Sequence, residues 1–145
     1  MNIDQNAPLA ARQEIFIAAT PEQVWAVQAD INHWADWQPD ISTIKLEGEL
    51  TAGSVFRWKA NGLNITSTLE VVEPPQHIGW TGDSLGMHAI HIWHFEPQAE
   101  GTRAITEESL SGWFPRILKL FDENFLEKSL AASLKTLKNR VEQRT

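Results

Sequence analysis

Three histidines lie within one predicted strand, and their spacing limits what they can do together. His88, His91 and His94 all fall in the strand predicted for residues 87–96. Because neighbouring side chains of a strand point to opposite faces, His91 shares a face with Trp93, whereas the other two histidines share the opposite face. A zinc site needs three or four converging ligands. We therefore expect no metal site on this strand.

His91 is the better candidate for chemistry. If Trp93 faces the core, the His91 imidazole lies among aromatic side chains and could donate or accept a proton near neutral pH. The alternative is a core histidine whose two ring nitrogens are satisfied by the protein. Ile90 and Ile92 leave the orientation of the strand open, because they make the opposite face apolar as well.

Two adjacent carboxylates on the last predicted strand, Glu107 and Glu108, cannot both face inward. Ile105 should be inward, and this alternation selects Glu107, together with Arg103, for the same face. A carboxyl group in a desolvated pocket has a raised pKa and could act as a general base. The alternative is a structural ion pair of Glu107 with Arg103 or His91. We take His91 and Glu107 as the candidate acid/base pair.

Other reaction classes find no support in the residues. The chain of 145 residues has no cysteine, so it offers no thiolate nucleophile, disulfide or Cys-ligated metal. It contains no G-x-S-x-G motif, phosphate loop or dinucleotide fingerprint, and we expect no cofactor. A net charge of −7 repels phosphate backbones and anionic lipid surfaces, and it disfavours nucleic acid as a partner unless charge is locally segregated.

Location and domain count are expectations from composition. No stretch approaches the about 20 apolar residues of a membrane span. Residues 1–10 lack the basic cluster and apolar run of a secretory signal. We expect a cytoplasmic protein with one domain over residues 1–145.

Aromatic side chains are the other unusual feature. There are seven tryptophans and no tyrosine, which is typical either of a Trp-rich core or of a ligand cavity walled with aromatic rings. Strand alternation and position at or on the predicted C-terminal helix select as candidate ligand-binding residues Phe56, Trp58, Leu69, Trp80, Trp93, Arg103, Trp113, Phe114, Phe121 and Phe125. Trp34 and Trp37, on the second predicted short helix, are candidates only through the family resemblance described below.

The elements that position these residues follow from periodicity. Thr20-Pro21-Glu22-Gln23 predicts a capped helix start, and Asn61-Gly62 between alternating segments predicts a tight hairpin. One strand, two short helices and six further strands precede a segment from Pro115 to about Gln143 that has helical apolar periodicity. The sequence predicts an α+β fold, with a curved antiparallel sheet of about seven strands around one long C-terminal helix.

This order and several local patterns resemble the polyketide cyclase/dehydrase-like branch of the START/Bet v 1-like superfamily, whose fold is the helix grip. The resemblance covers about Ala11 to Val141. It is carried by Ala19–Trp25, by Asp30 with Trp34, Trp37 and Pro39, by Val72–Pro75 with Ile78 and Trp80, by His91, Trp93 and Phe95, and by Gly101–Thr102 with Glu107–Ser109 and Gly112.

The resemblance implies a cavity between sheet and helix but not a reaction, because such folds host many functions. Our leading hypothesis is a protein that binds a small apolar or aromatic molecule. The second is a cyclase- or dehydratase-like enzyme that uses His91 and Glu107. The third is an interaction module with a filled cavity that forms a homodimer through Ile90 and Ile92.

Overall fold

A computed structural model describes residues 1–144. The sheet has seven antiparallel strands in the order β1-β7-β6-β5-β4-β3-β2, and it curves around a long C-terminal helix, as predicted. The elements in chain order are β1 Leu9–Ile17, α1 Pro21–Gln28, a 3-10 helix Ile31–Asp36, β2 Ile41–Glu47, β3 Val55–Ala60, β4 Leu63–Glu73, β5 His77–Ser84, β6 Met87–Gln98, β7 Gly101–Ser111, α2 Trp113–Phe121 and α3 Phe125–Arg144.

The first helix begins where the capping pattern predicts. The Gln23 amide donates to Thr20 Oγ1 at 3.2 Å, and the Thr20 amide donates to Gln23 Oε1 at 2.9 Å. Two amides that lack partners within the helix are thereby satisfied. Pro21 occupies the first turn, where its missing N–H costs nothing. This helix and the 3-10 helix close one end of the curved sheet.

The hairpin at Asn61-Gly62 is also confirmed. Both residues have positive φ, 51° and 78°, which the two-residue turn requires and which Asn and Gly tolerate best. The turn sets the β3–β4 register so that Trp58 lies opposite Ile65. It thereby fixes one wall of the concave side of the sheet.

Helix α3 supplies the apolar stripe that fills the concavity. Its five buried residues recur at helical spacing: Leu126, Leu130, Leu134, Leu137 and Val141. Each such side chain contributes about 1.5–3 kcal/mol when it leaves water completely. Leu134, Leu137 and Val141 pack with the aromatic core, whereas Leu126 and Leu130 belong to a second cluster beneath β1 and β7.

The prediction of one uninterrupted C-terminal helix is wrong. The chain leaves the helix at Asp122, which has an extended conformation with φ −154°. Its Oδ1 accepts from the Asn124 amide at 3.0 Å, and its Oδ2 accepts from Lys128 Nζ at 3.1 Å. An aspartate can replace backbone hydrogen bonds in this way without any glycine or proline. The helical segment is therefore divided into α2 and α3.

The predicted orientation of β7 is wrong by one residue. Ala104 lies in the concave core, and Glu108 lines the concave side. The opposite, convex face carries Ile105, Glu107 and Arg103. Ile105 is buried there, so an apolar residue did not identify the inner face.

The segment before β1 explains why the convex face is partly buried. The Asp4 amide donates to Ser109 Oγ at 3.0 Å on β7. Met1 lies so close to Gly79 on β5 that a Cβ there would overlap its sulfur. Ile92, on β6 beside Gly79, is buried. The sequence shows apolar residues on both faces because both are covered in places.

Candidate functional site

A cavity lies between the concave face of the sheet and helices α2 and α3. Its larger lobe has a volume of about 510 Å³, and a smaller lobe of about 150 Å³ adjoins it near the 3-10 helix. The residues common to both lobes include Trp58, Trp80, His91, Glu108 and Ser129. Apolar side chains from strands and helices wall the larger lobe: Leu63, Ile65, Met87, Ala89, Leu110, Phe114, Leu118, Phe125 and Leu126.

A row of three residues crosses the sheet where the two lobes meet. In the antiparallel registers, His91 on β6 lies opposite Trp80 on β5 and opposite Glu108 on β7. The Trp80 and His91 rings are 5.0 Å apart between centroids. The strand pairing therefore places one imidazole and one carboxyl side by side on the cavity wall, beneath an aromatic ring.

The His91 imidazole has a polar neighbour on each side. Its Nδ1 lies 3.2 Å from Glu108 Oε2, and its Nε2 lies 2.9 Å from Thr106 Oγ1. The Thr106 hydroxyl donates to the Ile92 carbonyl at 3.1 Å. Because that hydroxyl proton is used, Thr106 accepts from His91, and Nε2 carries the imidazole proton. Nδ1 is then an acceptor facing Glu108.

Burial sets the charge of this pair. Desolvation raises the pKa of Glu108 to about 8 and lowers the pKa of His91 to about 3, because both charged forms lose water. Near pH 7 both groups are therefore neutral, and Glu108 Oε2 lies close to His91 Nδ1. Side-chain exposures of only 12% for His91 and 16% for Glu108 agree with this. The pair is one proton transfer away from an imidazolium–carboxylate pair.

The tryptophans form the aromatic wall around the pair. Trp34 packs against Trp80 at 5.2 Å and against Trp58 at 5.6 Å between ring centroids. The Trp58 indole N–H donates to Ser67 Oγ at 3.0 Å, and that of Trp34 donates to the Gln28 carbonyl at 2.9 Å. Trp93 lines the smaller lobe, and its buried indole nitrogen has no hydrogen-bond partner among residues 1–144. A buried N–H without an acceptor is unfavourable.

Comparison with protein families gives the cavity a context. Residues 8–142 match the family model described as "Polyketide cyclase / dehydrase and lipid transport". The chain belongs to this family. The match covers nearly the whole sequence and confirms the resemblance stated from the local motifs. A search of curated proteins finds no match to the chain.

Solved structures agree on the fold of the family. A hypothetical protein, jhp0584 from Helicobacter pylori, has a TM-score of 0.84 at 19% identity over 96% of this chain and 91% of its own. The Zhui aromatase/cyclase from Streptomyces sp. R1128 has 0.79 at 19% identity over 93% and 94%. A START superfamily protein from Mycobacterium smegmatis has 0.78 at 15% identity over 94% and 99%. At these identities the likeness concerns the fold alone.

Most of the predicted ligand-binding residues lie at the cavity. The larger lobe contacts Trp58, Trp80, Phe114 and Phe125, and the smaller lobe contacts Trp34, Trp37 and Trp93. Phe56 and Leu69 are completely buried and pack behind this wall. His91 faces the cavity, as the orientation of β6 by Trp93 predicts.

Four predicted site residues lie elsewhere. Glu107 is on the convex face, with Oε1 at 3.8 Å from Arg12 Nε. Arg103, on the same face, pairs with Glu14 at 2.6 Å. The Trp113 and Phe121 side chains on α2 are exposed to solvent. The strand alternation explains the first two, and the other two lie on the exposed side of α2.

Sequence reasoning missed Glu108 as the cavity carboxyl and most of the aliphatic wall. Leu110 lies two residues after Glu108 and on the same face. Had Leu110 rather than Ile105 been used to assign the inner face of β7, the alternation would have selected Glu108. The hydroxyls of Ser129 and Ser133 on α3 also line the cavity, and nothing in their spacing distinguishes them from ordinary helix residues.

Among residues 1–144 no group of three or more His, Asp or Glu side chains is arranged to hold a metal ion. None of the helices described is long and apolar enough to cross a membrane.

Proposed function

We propose that this protein binds a small, mainly apolar molecule in the cavity, with one neutral polar group of the ligand at His91 and Glu108. The observation that carries the proposal is an apolar cavity of about 510 Å³ whose wall contains one buried imidazole–carboxyl pair. Ligand pockets in proteins have volumes of about 300–1,000 Å³, with apolar walls and a few convergent polar groups.

The charge state of the pair favours a neutral ligand. Because Glu108 and His91 are both neutral near pH 7, the wall offers no fixed positive charge to a carboxylate or phosphate. An anion brought here would lose its water without a charged partner. A carbonyl, phenol or hydroxyl can instead use the Ser129 hydroxyl or the Glu108 carboxyl group, both of which line the cavity.

Blocking the cavity provides the direct test. Ala89 lines the larger lobe, whereas Ile90 is the next residue on the same strand and points to the opposite face. The probe is 1-aminoanthracene, a neutral fluorescent aromatic compound. We expect wild type and Ile90→Phe to bind it with similar Kd, and Ala89→Phe to weaken binding at least about tenfold because the added ring occupies the ligand volume.

Either of two results would contradict the binding proposal. One is probe affinity that Ala89→Phe leaves unchanged, since the probe would then bind outside the cavity. The other is an absence of saturable binding in all three proteins. Thermal unfolding of each variant controls for loss of the fold.

Acid–base catalysis on a carbonyl compound is the second candidate function. The observation that favours it is the position of His91 and Glu108 on the cavity wall at hydrogen-bond distance. A carboxyl and an imidazole in contact can give a proton to a carbonyl oxygen and remove one from a neighbouring carbon. In this candidate Glu108 takes the role that the sequence had suggested for Glu107.

Proton exchange tests this candidate without knowledge of the substrate. A cyclic aromatic ketone, 1-tetralone, incubated with the protein in deuterated buffer should exchange its α-protons faster than in buffer alone. Glu108→Gln should abolish the acceleration, and Glu107→Gln should leave it unchanged. No acceleration by wild type, or equal loss in both variants, would remove acid–base catalysis as a function of the pair.

The structure does not support the third hypothesis, an interaction module that forms a homodimer. It required a filled cavity and an exposed apolar face at Ile90 and Ile92. The cavity is open space, and Ile92 is buried on the convex face. The homodimer through this face therefore stays a prediction without support from the described residues.

A further inference from the structure

The outer face of helix α2 is the most apolar exposed surface among the residues that the structure describes. Leu120 and Phe121 are each 85% exposed, and Leu85 in the β5–β6 turn is 80% exposed. Trp113 and Ile117 add two further partly exposed large side chains. We call these five residues the α2 surface. A cluster of exposed large apolar side chains generally marks an interaction site.

Local packing joins the turn to the helix, so the five residues form one continuous surface. The Trp113 ring lies directly on Gly86, where a Cβ would overlap it. The Phe114 amide donates to the Gly86 carbonyl at 3.1 Å. Gly112 has φ 112°, a conformation that glycine adopts without strain, and this brings the start of α2 against the turn. The turn that carries Leu85 is consequently packed against the start of α2.

The helix is apolar on both sides, and its inner side is a wall of the cavity. Phe114 and Leu118 point into the larger lobe, while Ile117, Leu120 and Phe121 point outward. Only Pro115 of this helix is fully buried. A partner that covers the outer side therefore lies one helix diameter from the ligand volume.

The charge of α2 differs from that of the rest of the protein. The helix contains two basic residues, Arg116 and Lys119, and no acidic residue. Its charge is therefore +2, so the remainder of the chain carries −7 − 2 = −9. On a helical projection both cations lie along one edge of the apolar outer residues, next to Leu120. Helices that lie in a membrane interface have this pattern, in which large apolar residues such as Trp, Phe, Leu and Ile are bordered by Lys and Arg.

We propose that the α2 surface docks on a lipid bilayer that contains anionic headgroups. The apolar tips enter the boundary between headgroups and acyl chains, and Arg116 and Lys119 contact the headgroups. A second copy of the chain suits this surface less well, because a twofold contact through α2 would bring the cations of both copies together. Docking places the cavity wall formed by Phe114 and Leu118 next to the membrane, from which an apolar ligand can enter.

Vesicle flotation tests the apolar part of the surface. The purified protein is mixed with phosphatidylcholine vesicles that contain or lack phosphatidylglycerol. We expect wild type to float with the anionic vesicles. The double variant Leu120→Ser/Phe121→Ser should bind at least about tenfold more weakly, because two exposed apolar side chains are lost. Phe16→Ser is the matched control, since Phe16 is also exposed but lies outside the α2 surface.

A second variant pair tests the charges. Arg116→Gln/Lys119→Gln should reduce binding to anionic vesicles about tenfold or more, since each cation near such a surface contributes measurably, and the remaining binding should lose its dependence on salt. Lys45→Gln/Lys135→Gln removes two exposed cations elsewhere and should bind as wild type does. All four variants should retain 1-aminoanthracene binding, which separates this surface from the cavity.

Three outcomes overturn the proposal. The first is wild type that remains unbound in the presence of anionic vesicles. The second is vesicle binding that the control variants reduce as much as the α2 variants do. The third is a concentration-dependent dimer in sedimentation that Leu120→Ser/Phe121→Ser abolishes, because the surface would then serve a second copy of the chain. If wild type fails to bind 1-aminoanthracene, the proposed ligand cavity is contradicted, whereas vesicle binding still decides whether the α2 surface docks on a membrane.

Discussion

Strand β7 presents one glutamate to each face of the sheet, with opposite consequences. On the concave face His91 contacts Glu108 in a desolvated cavity wall. At the neighbouring pair of residues, on the convex face, Ile92 lies opposite Glu107, which pairs with Arg12. The Glu108 carboxyl group is buried beside an imidazole, whereas the Glu107 carboxylate belongs to a surface ion pair. Burial and partners, rather than residue type, decide which of the two can do chemistry.

The largest expected effect concerns the pH dependence of stability. Burial raises the pKa of Glu108 from 4.5 to about 8, so between these values the folded state binds more protons than the unfolded state. Its contribution to stability therefore falls as the pH rises through this window. Glu108→Gln keeps a neutral group there, and relative to wild type it should gain a few kcal/mol in free energy of unfolding between pH 5 and pH 9.

Urea denaturation at the two pH values measures this difference. Glu107→Gln is the control on the convex face and should change stability by less than about 1 kcal/mol at either pH, as expected for exposed pairs. A Glu108→Gln variant whose stability follows wild type at both pH values would contradict the burial of a neutral carboxyl group.

His91 should show the opposite sign at acid pH. Burial lowers its pKa from 6.5 to about 3, so between these values the unfolded state binds more protons than the folded state. The stability contributed by neutral His91 is lost as the pH falls from 6.5 towards 3. We expect His91→Gln to gain about 2 kcal/mol relative to wild type between pH 7 and pH 4.

Thermal unfolding at pH 7 and pH 4 provides the measurement for His91. His88→Gln removes a half-exposed histidine on the opposite face of the same strand and should not reproduce the gain. Equal behaviour of the two variants would mean that His91 is not kept neutral by burial.

The Thr106 hydroxyl orders the pair and should contribute less. It accepts from His91 Nε2 and donates to the Ile92 carbonyl. Thr106→Val preserves the side-chain shape but leaves both partners unsatisfied, and should cost about 1–3 kcal/mol. Thr43→Val, at an exposed position on β2, is the control in urea denaturation. A cost below that of the control would show that this hydrogen-bond chain does not hold the imidazole.

Arg103 should give the smallest effect. Its guanidinium lies on the convex face and contacts Glu14 and Glu96, and surface ion pairs of this kind contribute about 0–1 kcal/mol. Arg103→Gln should therefore change stability little and leave the Kd for 1-aminoanthracene unchanged. A weaker Kd would reinstate Arg103 as the ligand-binding residue that the sequence suggested.

Local signals predicted the parts of the fold that local interactions determine. The capping pattern at Thr20 and the turn at Asn61-Gly62 each satisfy their own backbone groups, and both are where the sequence places them. The concave position of His91 also followed from alternation around Trp93. Periodicity supplied the order of the elements, and the family resemblance implied the cavity.

Two features were not predictable in the same way, the first because it depends on distant contacts and the second because it depends on one side chain. The convex face is covered by the segment before β1, through Met1 and Asp4, so Ile105 appeared to mark the core and reversed the orientation of β7. The break between α2 and α3 depends on the Asp122 side chain and its contact with Lys128. No glycine or proline in the sequence indicates that break.

Native mass spectrometry of the protein purified from its own host tests the central claim most directly. The account predicts that wild type and Ile90→Phe carry one small, neutral, mainly apolar compound per chain, and that Ala89→Phe carries none. Wild type that is free of any compound and fails to take up 1-aminoanthracene, or a compound that Ala89→Phe retains equally, would contradict a ligand bound in the cavity.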